Sequence, residues 1–261
     1  MKRTYVKLLT VAGLTGCFLF TSCRSAQETT ARYEISKVEG NMITIDSTWD
    51  ANPDKKATTV LKPYKDKVDA MMYEVIGTSE MKMDKGTPES LLSNLVASVL
   101  QEAAAQVLGK PADMGLVNMG GLRNILPKGD ITVGAVFEIL PFENSLCVLT
   151  MKGTDMKRLF KAIASLHGEG VSGIRLELHK KGELLNATIG GKPVVDDQLY
   201  TVATIDYLAD GNGRMDAFLQ AEKRECPEDA TLRGLFLDYV RKQTAEGKII
   251  TSKLDGRITV K

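Results

Sequence analysis

Asn118-Met119-Gly120-Gly121-Leu122-Arg123 is the stretch from which the rest of this chain can be read. It ends a short apolar strand, Gly115 to Asn118. Adjacent glycines let the backbone turn sharply and come close to a ligand. Backbone N–H groups in such a turn, with Arg123 beside them, make an anion site, although Gly-Gly-x-Arg also suits an ordinary strand exit. Downstream, Gly129-Asp130-Ile131-Thr132 reads as a helix start, with Thr132 capping Val133 to Leu140. Pro141 stops that helix, so Phe142 falls on a loop beside the glycine turn. A second strand, Tyr200 to Ile205, has a polar, glycine-rich exit running from Asp206 to Arg214 that carries Tyr207 and Asp210. Two aromatic rings on two loops could sandwich a flat base, worth ~1–3 kcal/mol. They would serve equally as loop anchors packed into a core.

Outward from these loops the pattern mixes helices and strands. Ser90 to Val107 reads as the strongest helix, with Leu91, Leu95, Val99 and Val107 on one stripe and Leu92, Val96 and Leu100 widening it. Val60, Tyr64, Val68, Met71 and Met72 recur at helical spacing, followed by a strand from Tyr73 to Thr78. Ser145 to Met151 reads as a strand and Asp155 to Ser165 as a helix with Met156, Leu159, Phe160 and Ile163 inward. Strands around Ile174–Leu178, Ala187–Ile189 and Arg257–Val260 and a helix around Leu232–Val240 complete the pattern. Ahead of all these, Glu39-Gly40-Asn41 between Tyr33–Lys37 and Met42–Ile45 reads as a hairpin turn. Several strands are joined by hairpin-length gaps, which favours an α+β fold with mixed sheets over strict β-α alternation. With no second linker, residues 32–261 read as one domain.

The first residues carry an address. Lys2, Arg3 and Lys7 precede an apolar run, Leu8 to Phe20, too short for the ~20 residues a membrane span needs. Thr21-Ser22-Cys23 then reads as a lipobox, making residues 1–22 a lipoprotein signal peptide, Cys23 the lipidated residue and 23–31 a tether. Leu14-Thr15-Gly16-Cys17 also fits a lipobox but leaves a cramped apolar run. The expected location is the cell envelope of a Gram-negative-type bacterium, on the periplasmic side or the outer membrane. Cleavage before Cys23 removes three positive charges and no acid, taking the formal net charge from +1 to −2. A near-neutral chain argues against a nucleic-acid polymer as partner. Hydrophobic residues at 43% are ordinary for a globular core. Only Cys147 and Cys226 remain after lipidation; Cys147 lies in the apolar run Leu146 to Leu149 and reads as a buried free thiol, with one disulfide as the alternative.

Taken together, Asn118 to Arg123, Gly129 to Thr132, Leu140-Pro141-Phe142-Glu143-Asn144-Ser145-Leu146, Lys152-Gly153, Tyr200 to Thr204, Tyr207-Leu208-Ala209 and the helix start Glu89 to Val99 resemble the C-terminal domain of 5'-nucleotidases. The resemblance runs from Met72 to Phe218 in the family's order. It implies a compact four-layer α-β-β-α domain that binds the nucleotide, while a separate N-terminal domain with two metals cleaves the phosphate. By match, Phe142 and Tyr207 would stack the base, Arg123 would contact phosphate, Asn118 would make a polar contact at the base or ribose, and Gly120 and Gly121 would form the turn beneath them. Two positions depart from the family. Pro88 stands where an arginine usually precedes the Asn-Leu helix, and Gly213 stands where an aspartate holds the ribose hydroxyls. Asp210 or Asp216 would have to substitute for that aspartate.

A binuclear phosphatase centre needs several His, Asp and Asn ligands around two ions ~3.5–4 Å apart. The chain has His167 and His179 only, one at a helix end and one in a strand run, so no cofactor or catalytic residue is expected in it. The leading expectation is the nucleotide-recognition half of a split 5'-nucleotidase, with divalent metals held by a separate metallophosphatase chain. The alternative is a non-catalytic lipoprotein that binds a nucleoside or nucleotide, or serves as a structural partner.

Overall fold

The computed structural model describes residues 34–261, so the signal peptide, the tether, Cys17 and Cys23 lie outside the described residues. Among the described residues, 34–53 and 54–261 fall into two separate units. In the first, residues 34–45 form no strand and are exposed, and the one regular element among the described residues is a 3-10 turn, Ser47–Ala51, capped by Asp46. The hairpin expected around Glu39-Gly40-Asn41 is therefore absent from the described residues. A lone two-stranded hairpin with no third strand or helix to cover its apolar face is marginal in water.

The second unit begins with helix α1 (Lys55–Met72), whose start Asp54 caps by accepting from the Ala57 amide. Strand β1 (Val75–Ser79) follows, then the core helix α2 (Leu91–Ala103) with Ser90 as its cap. Leu92, Leu95, Val96, Val99 and Leu100 of α2 are all buried, as the breadth of their stripe requires. The expected helix to Val107 breaks at Ala104 and resumes as the short α3 (Ala105–Leu108), closed by Gly109 at φ 70°. Next come β2 (Met114–Val117), β3 (Gly129–Thr132), α4 (Val133–Ile139), β4 (Leu146–Lys152) and α5 (Gly153–Ser165). Then β5 (Gly170–Ser172), β6 (Ile174–Leu178), β7 (Leu184–Ile189), β8 (Lys192–Pro193), β9 (Leu199–Ile205) and α6 (Asp206–Ala209) follow. The unit ends with β10 (Lys223–Glu225), α7 (Leu232–Ala245) and β11 (Ile258–Val260).

The strands form sheets of order β1-β3, β10-β4-β9-β2-β5 and β11-β6-β7-β8. The pairs β2–β9 and β11–β6 are parallel and the rest antiparallel, so the fold is α+β with mixed sheets. Helix α2 packs on β2, β5 and β9; α5 packs on β4, β6, β7 and β9; and α7 packs on α2 and β1. Two local expectations change. Gly129 to Thr132 is a strand paired with β1, Thr78 opposite Asp130, and only Thr132 caps the helix that follows. Cys147 is bonded to Cys226 and is not a free thiol. The reason is the register of β10 on β4: Glu225 lies opposite Val148, so the next residue along, Cys226, arrives opposite Cys147. Nothing local in the sequence marks a three-residue edge strand.

Candidate functional site

Topology brings three loops to one edge of the five-stranded sheet. Strands β2 and β9 are parallel neighbours, so their exits, at Asn118 and Asp206, emerge on the same side. Strand β4 runs antiparallel to β9 with Leu146 opposite Ile205, so the segment entering β4 lies there too. The Asp206 amide donates to the Ser145 carbonyl at 2.9 Å, tying the last two loops together.

These loops enclose a cleft of about 360 Å³ lined by Asn118, Gly120, Gly121, Phe142, Asn144 and Tyr207. The rings of Phe142 and Tyr207 are 48% and 44% exposed, so neither is a core anchor. The loop carrying Phe142 is braced from below by Arg233. That buried guanidinium donates to the Leu140 carbonyl at 3.1 Å, pairs with Glu143 and lies over the Phe137 ring at 4.1 Å. Asn118 turns its amide beneath the loop, and its Oδ1 is buried with no hydrogen-bond partner among the described residues. Residues Met119–Gly121 form a 3-10 turn in which neither glycine has positive φ. Gly121 leaves little room, since a Cβ there would stand 3.0 Å from Asn118 Oδ1 and press on that side chain.

Two predicted residues lie elsewhere. Arg123 is exposed and does not line the cleft. Its backbone amide donates to the Ile139 carbonyl, its Nη1 donates to the Gly120 carbonyl at 3.2 Å, and its guanidinium lies 5.9 Å from the centre of the Phe142 ring. Asp210 is committed to Arg224, with a 2.6 Å contact, and is not among the lining residues. Asp216 does not line the cleft either. Asn144, two residues beyond Phe142 on the same loop, faces the cleft although the sequence pattern gave it no role.

Glu169 was also missed. It leads into β5, whose pairing with β2 sets Gly170 opposite Val117 and so brings Glu169 beside Asn118. Its Oε2 accepts the Met119 amide at the start of the glycine turn. Burial pushes its carboxyl up to about 7, and the Met119 hydrogen bond opposes that shift. No charged neighbour contributes to the shift. The preceding loop is pressed against Pro88: Gly168 has φ 118°, and a Cβ there would come within 2.3 Å of the Pro88 carbonyl. The signal for Glu169 was non-local, since it rests on the pairing of a three-residue strand with β2.

Among the described residues, no three His, Cys, Asp or Glu side chains come together in a group that could hold a metal ion. His167 ends α5 with φ 61°, and His179 accepts the Lys181 amide at 3.2 Å. Among the described residues the donors present do not make up the two-metal centre of a phosphatase.

Residues 75–220, more than half of the chain and including all three loops, match the family model described as 5'-nucleotidase, C-terminal domain. The chain belongs to this family. It is 28% identical over 188 residues to the endonuclease YhcR of Bacillus subtilis, covering 69% of this chain and 15% of that protein. It is 26% identical over 238 residues to the trifunctional nucleotide phosphoesterase protein YfkN of the same organism, covering 84% and 16%. Among solved structures it resembles a 5'-nucleotidase precursor from Thermus thermophilus, with 26% identity, a TM-score of 0.67, and 81% of this chain against 44% of that one. The chain thus spans less than half the length of these relatives.

Proposed function

We propose that this chain is the nucleotide-recognition component of a split 5'-nucleotidase. It would hold the base between Phe142 and Tyr207 while a separate metallophosphatase chain, carrying the divalent metals, hydrolyses the phosphate. The observation that carries the reading is the pair of half-exposed rings lining one cleft with Asn118 and Asn144. Exposed aromatic faces next to amides suit a flat base with polar edges. Hydrolysis needs orientation as well as chemistry, and gripping the base away from the reacting phosphorus supplies orientation. Arg123, outside the lining set, has its guanidinium 5.9 Å from the centre of the Phe142 ring, and in this reading it would meet the phosphate of a nucleotide held there. In this reading the protein is exported and held in the cell envelope by lipid on Cys23; the description of one relative, from Listeria monocytogenes, as a cell wall protein supports an envelope location.

A second reading, capture of nucleosides without hydrolysis, is favoured by a specific observation: among the described residues no charged side chain lines the cleft, and Asp210 is already paired with Arg224. One experiment covers both. Calorimetry of the mature chain with nucleosides and nucleotides is expected to show binding that Phe142→Ala and Tyr207→Ala each weaken by roughly 1–3 kcal/mol. Adding the chain to an exported metallophosphatase should raise its turnover of nucleotides. Binding with no effect on turnover would favour capture, and no binding of any nucleoside or nucleotide would refute both readings.

A further inference from the structure

The aromatic cleft sits where β2 and β9 end, and a second concave surface lies where they begin. Asp113 directly precedes β2, and Tyr200 is the second residue of β9. Around them are two adjoining cavities of about 300 and 670 Å³. Gln101 of α2, Gly173 and Gly190 line both, and neither cavity shares a residue with the aromatic cleft. Four residues of β2 at ~3.3 Å each put about 13 Å of strand between the two places. Glycines shape the shared wall. Gly173 joins β5 to β6 at φ 76°, and a Cβ there would stand 2.2 Å from the Asp113 carbonyl oxygen. The Gly190 amide donates to the Gly173 carbonyl at 2.9 Å. Gly190 and Gly191 make the two-residue turn from β7 to β8, both at positive φ, and the space beside each is open to 4 Å.

The smaller cavity carries two guanidiniums. Parallel pairing sets Ile258 opposite Leu176, so the residues before them, Arg257 and Arg175, are neighbours across β11 and β6. Like charges in such positions repel. Asp255 offsets one of them, its carboxylate accepting Arg257 Nε at 3.1 Å. Arg257 Nη1 donates to the Asn94 and Val171 carbonyls at 2.9 and 2.8 Å, and its side chain is only 16% exposed. Arg175 Nη1 donates to the carbonyls of Asp255 and Gly256. Both guanidiniums are thus held in place, while Nη2 of each has no partner among the described residues. Asn118 Oδ1 is the one buried side-chain polar atom without a partner among the described residues, so Arg257 Nη2 is not sealed in the core. The larger cavity adds Lys192 and Asp113, and Asp113 already accepts the Thr201 amide and hydroxyl at 2.8 and 2.9 Å. Glu89, which accepts the Asp255 amide, is outside both lining sets. Three cations therefore face two carboxylates that are already engaged. Restrained guanidiniums with free N–H groups in a concave site recognise an oxyanion, and their planar fork suits phosphate or carboxylate.

The larger cavity says what the oxyanion is attached to. Gln101 spends Nε2 on the Ala112 carbonyl and keeps Oε1 as a free acceptor among the described residues. Gln198 is exposed, and its side chain makes no hydrogen bond among the described residues. Ile189, Pro193 and Val195 supply apolar contacts beside these amides. Amides with a small apolar wall suit a sugar ring, which has hydroxyl edges and C–H faces. We propose that this groove is a second ligand site that takes an anionic sugar, its phosphate or carboxylate held by Arg175 and Arg257 and its hydroxyls by Gln101 and Gln198. The site stands independently of the split-enzyme reading.

The test is calorimetry of the mature chain with glucose-6-phosphate, glucuronate, glucose and inorganic phosphate as probes. One or both of the anionic sugars should bind, and which of them binds identifies the oxyanion as phosphate or carboxylate. Glucose should bind about tenfold more weakly or not at all. Arg175→Ala should weaken the anionic sugar about tenfold or more, with an unchanged thermal midpoint in ligand-free buffer showing that the variant folds. Gln198→Ala, which removes no hydrogen bond among the described residues, should weaken it several-fold. Lys161→Ala, an exposed cation on α5 outside the groove, should bind like the parent. No binding by either anionic sugar would overturn the proposal, as would equal binding by the parent, Arg175→Ala and Gln198→Ala. Inorganic phosphate bound as tightly as the sugar would reduce the groove to a simple anion site and overturn it too. Loss of sugar binding in Phe142→Ala would place the ligand in the aromatic cleft, with the same consequence.

Discussion

Glu169 offers a direct probe of the cleft's support. Its carboxyl is partly buried, accepts the Met119 amide and is held up to about 7 chiefly by desolvation, against an ordinary value of 4.5. The folded value lies above the unfolded one, so as pH rises the unfolded chain gives up this proton first. The stability that the protonated group contributes is complete below about 4.5 and is lost as pH climbs through about 7. The gap between those values corresponds to at most on the order of 3 kcal/mol, reduced in practice because Glu169 keeps some contact with solvent. Glu169→Gln retains an oxygen to accept the Met119 amide but cannot ionise. Urea unfolding of both proteins between about pH 4.5 and 8 should give equal stabilities at the acid end. Toward the alkaline end the Gln variant should become the more stable by ~1–3 kcal/mol. Taking the difference between the two cancels every other titrating group. Parallel pH profiles would refute the argument that burial beside the glycine turn raises this carboxyl.

Two further expectations concern neighbouring elements. Arg123→Ala should weaken binding of nucleotides more than nucleosides, by ~1.5–3 kcal/mol for the phosphate part, with calorimetry against matched pairs as the check; equal losses would mean that Arg123 acts only by supporting Phe142. The Cys147–Cys226 bond closes a loop with a sequence separation of 79, and breaking it with Cys226→Ala should cost ~2–4 kcal/mol in chemical unfolding; an unchanged midpoint would show that the β10 edge holds without it.

The strong local signals read correctly. Thr132 was legible as a cap because a short side chain ahead of an apolar period has few other uses, and it accepts the amide three residues on; Ser90, read as the first residue of its helix, is that helix's cap. The breadth of the α2 stripe foretold its burial. The same periodicity located α1, yet it did not tell that its stripe stays exposed, because period reports which face is apolar and not what covers it. The expected hairpin near Gly40 failed for a related reason: alternation and a good turn do not make a sheet without a surface to pack on.

For the cleft, the sequence by itself determined the loop chemistry: a glycine turn after β2, an aromatic after a helix-stopping proline, and an aromatic at the exit of β9. It could do so because turn residues and strand ends are local choices of backbone geometry. Tertiary structure decided which side chains share the space. Parallel pairing of β2 with β9 and the antiparallel run of β4 gather Asn118, Phe142, Asn144 and Tyr207 at one edge. Packing turned Arg123 onto Phe142 and gave Asp210 to Arg224. Register alone set Cys226 against Cys147 and Glu169 beside Asn118. Each of these register contacts pairs residues far apart in the chain, and their meeting is fixed by strand order and the burial of a shared core, which no window of local sequence contains.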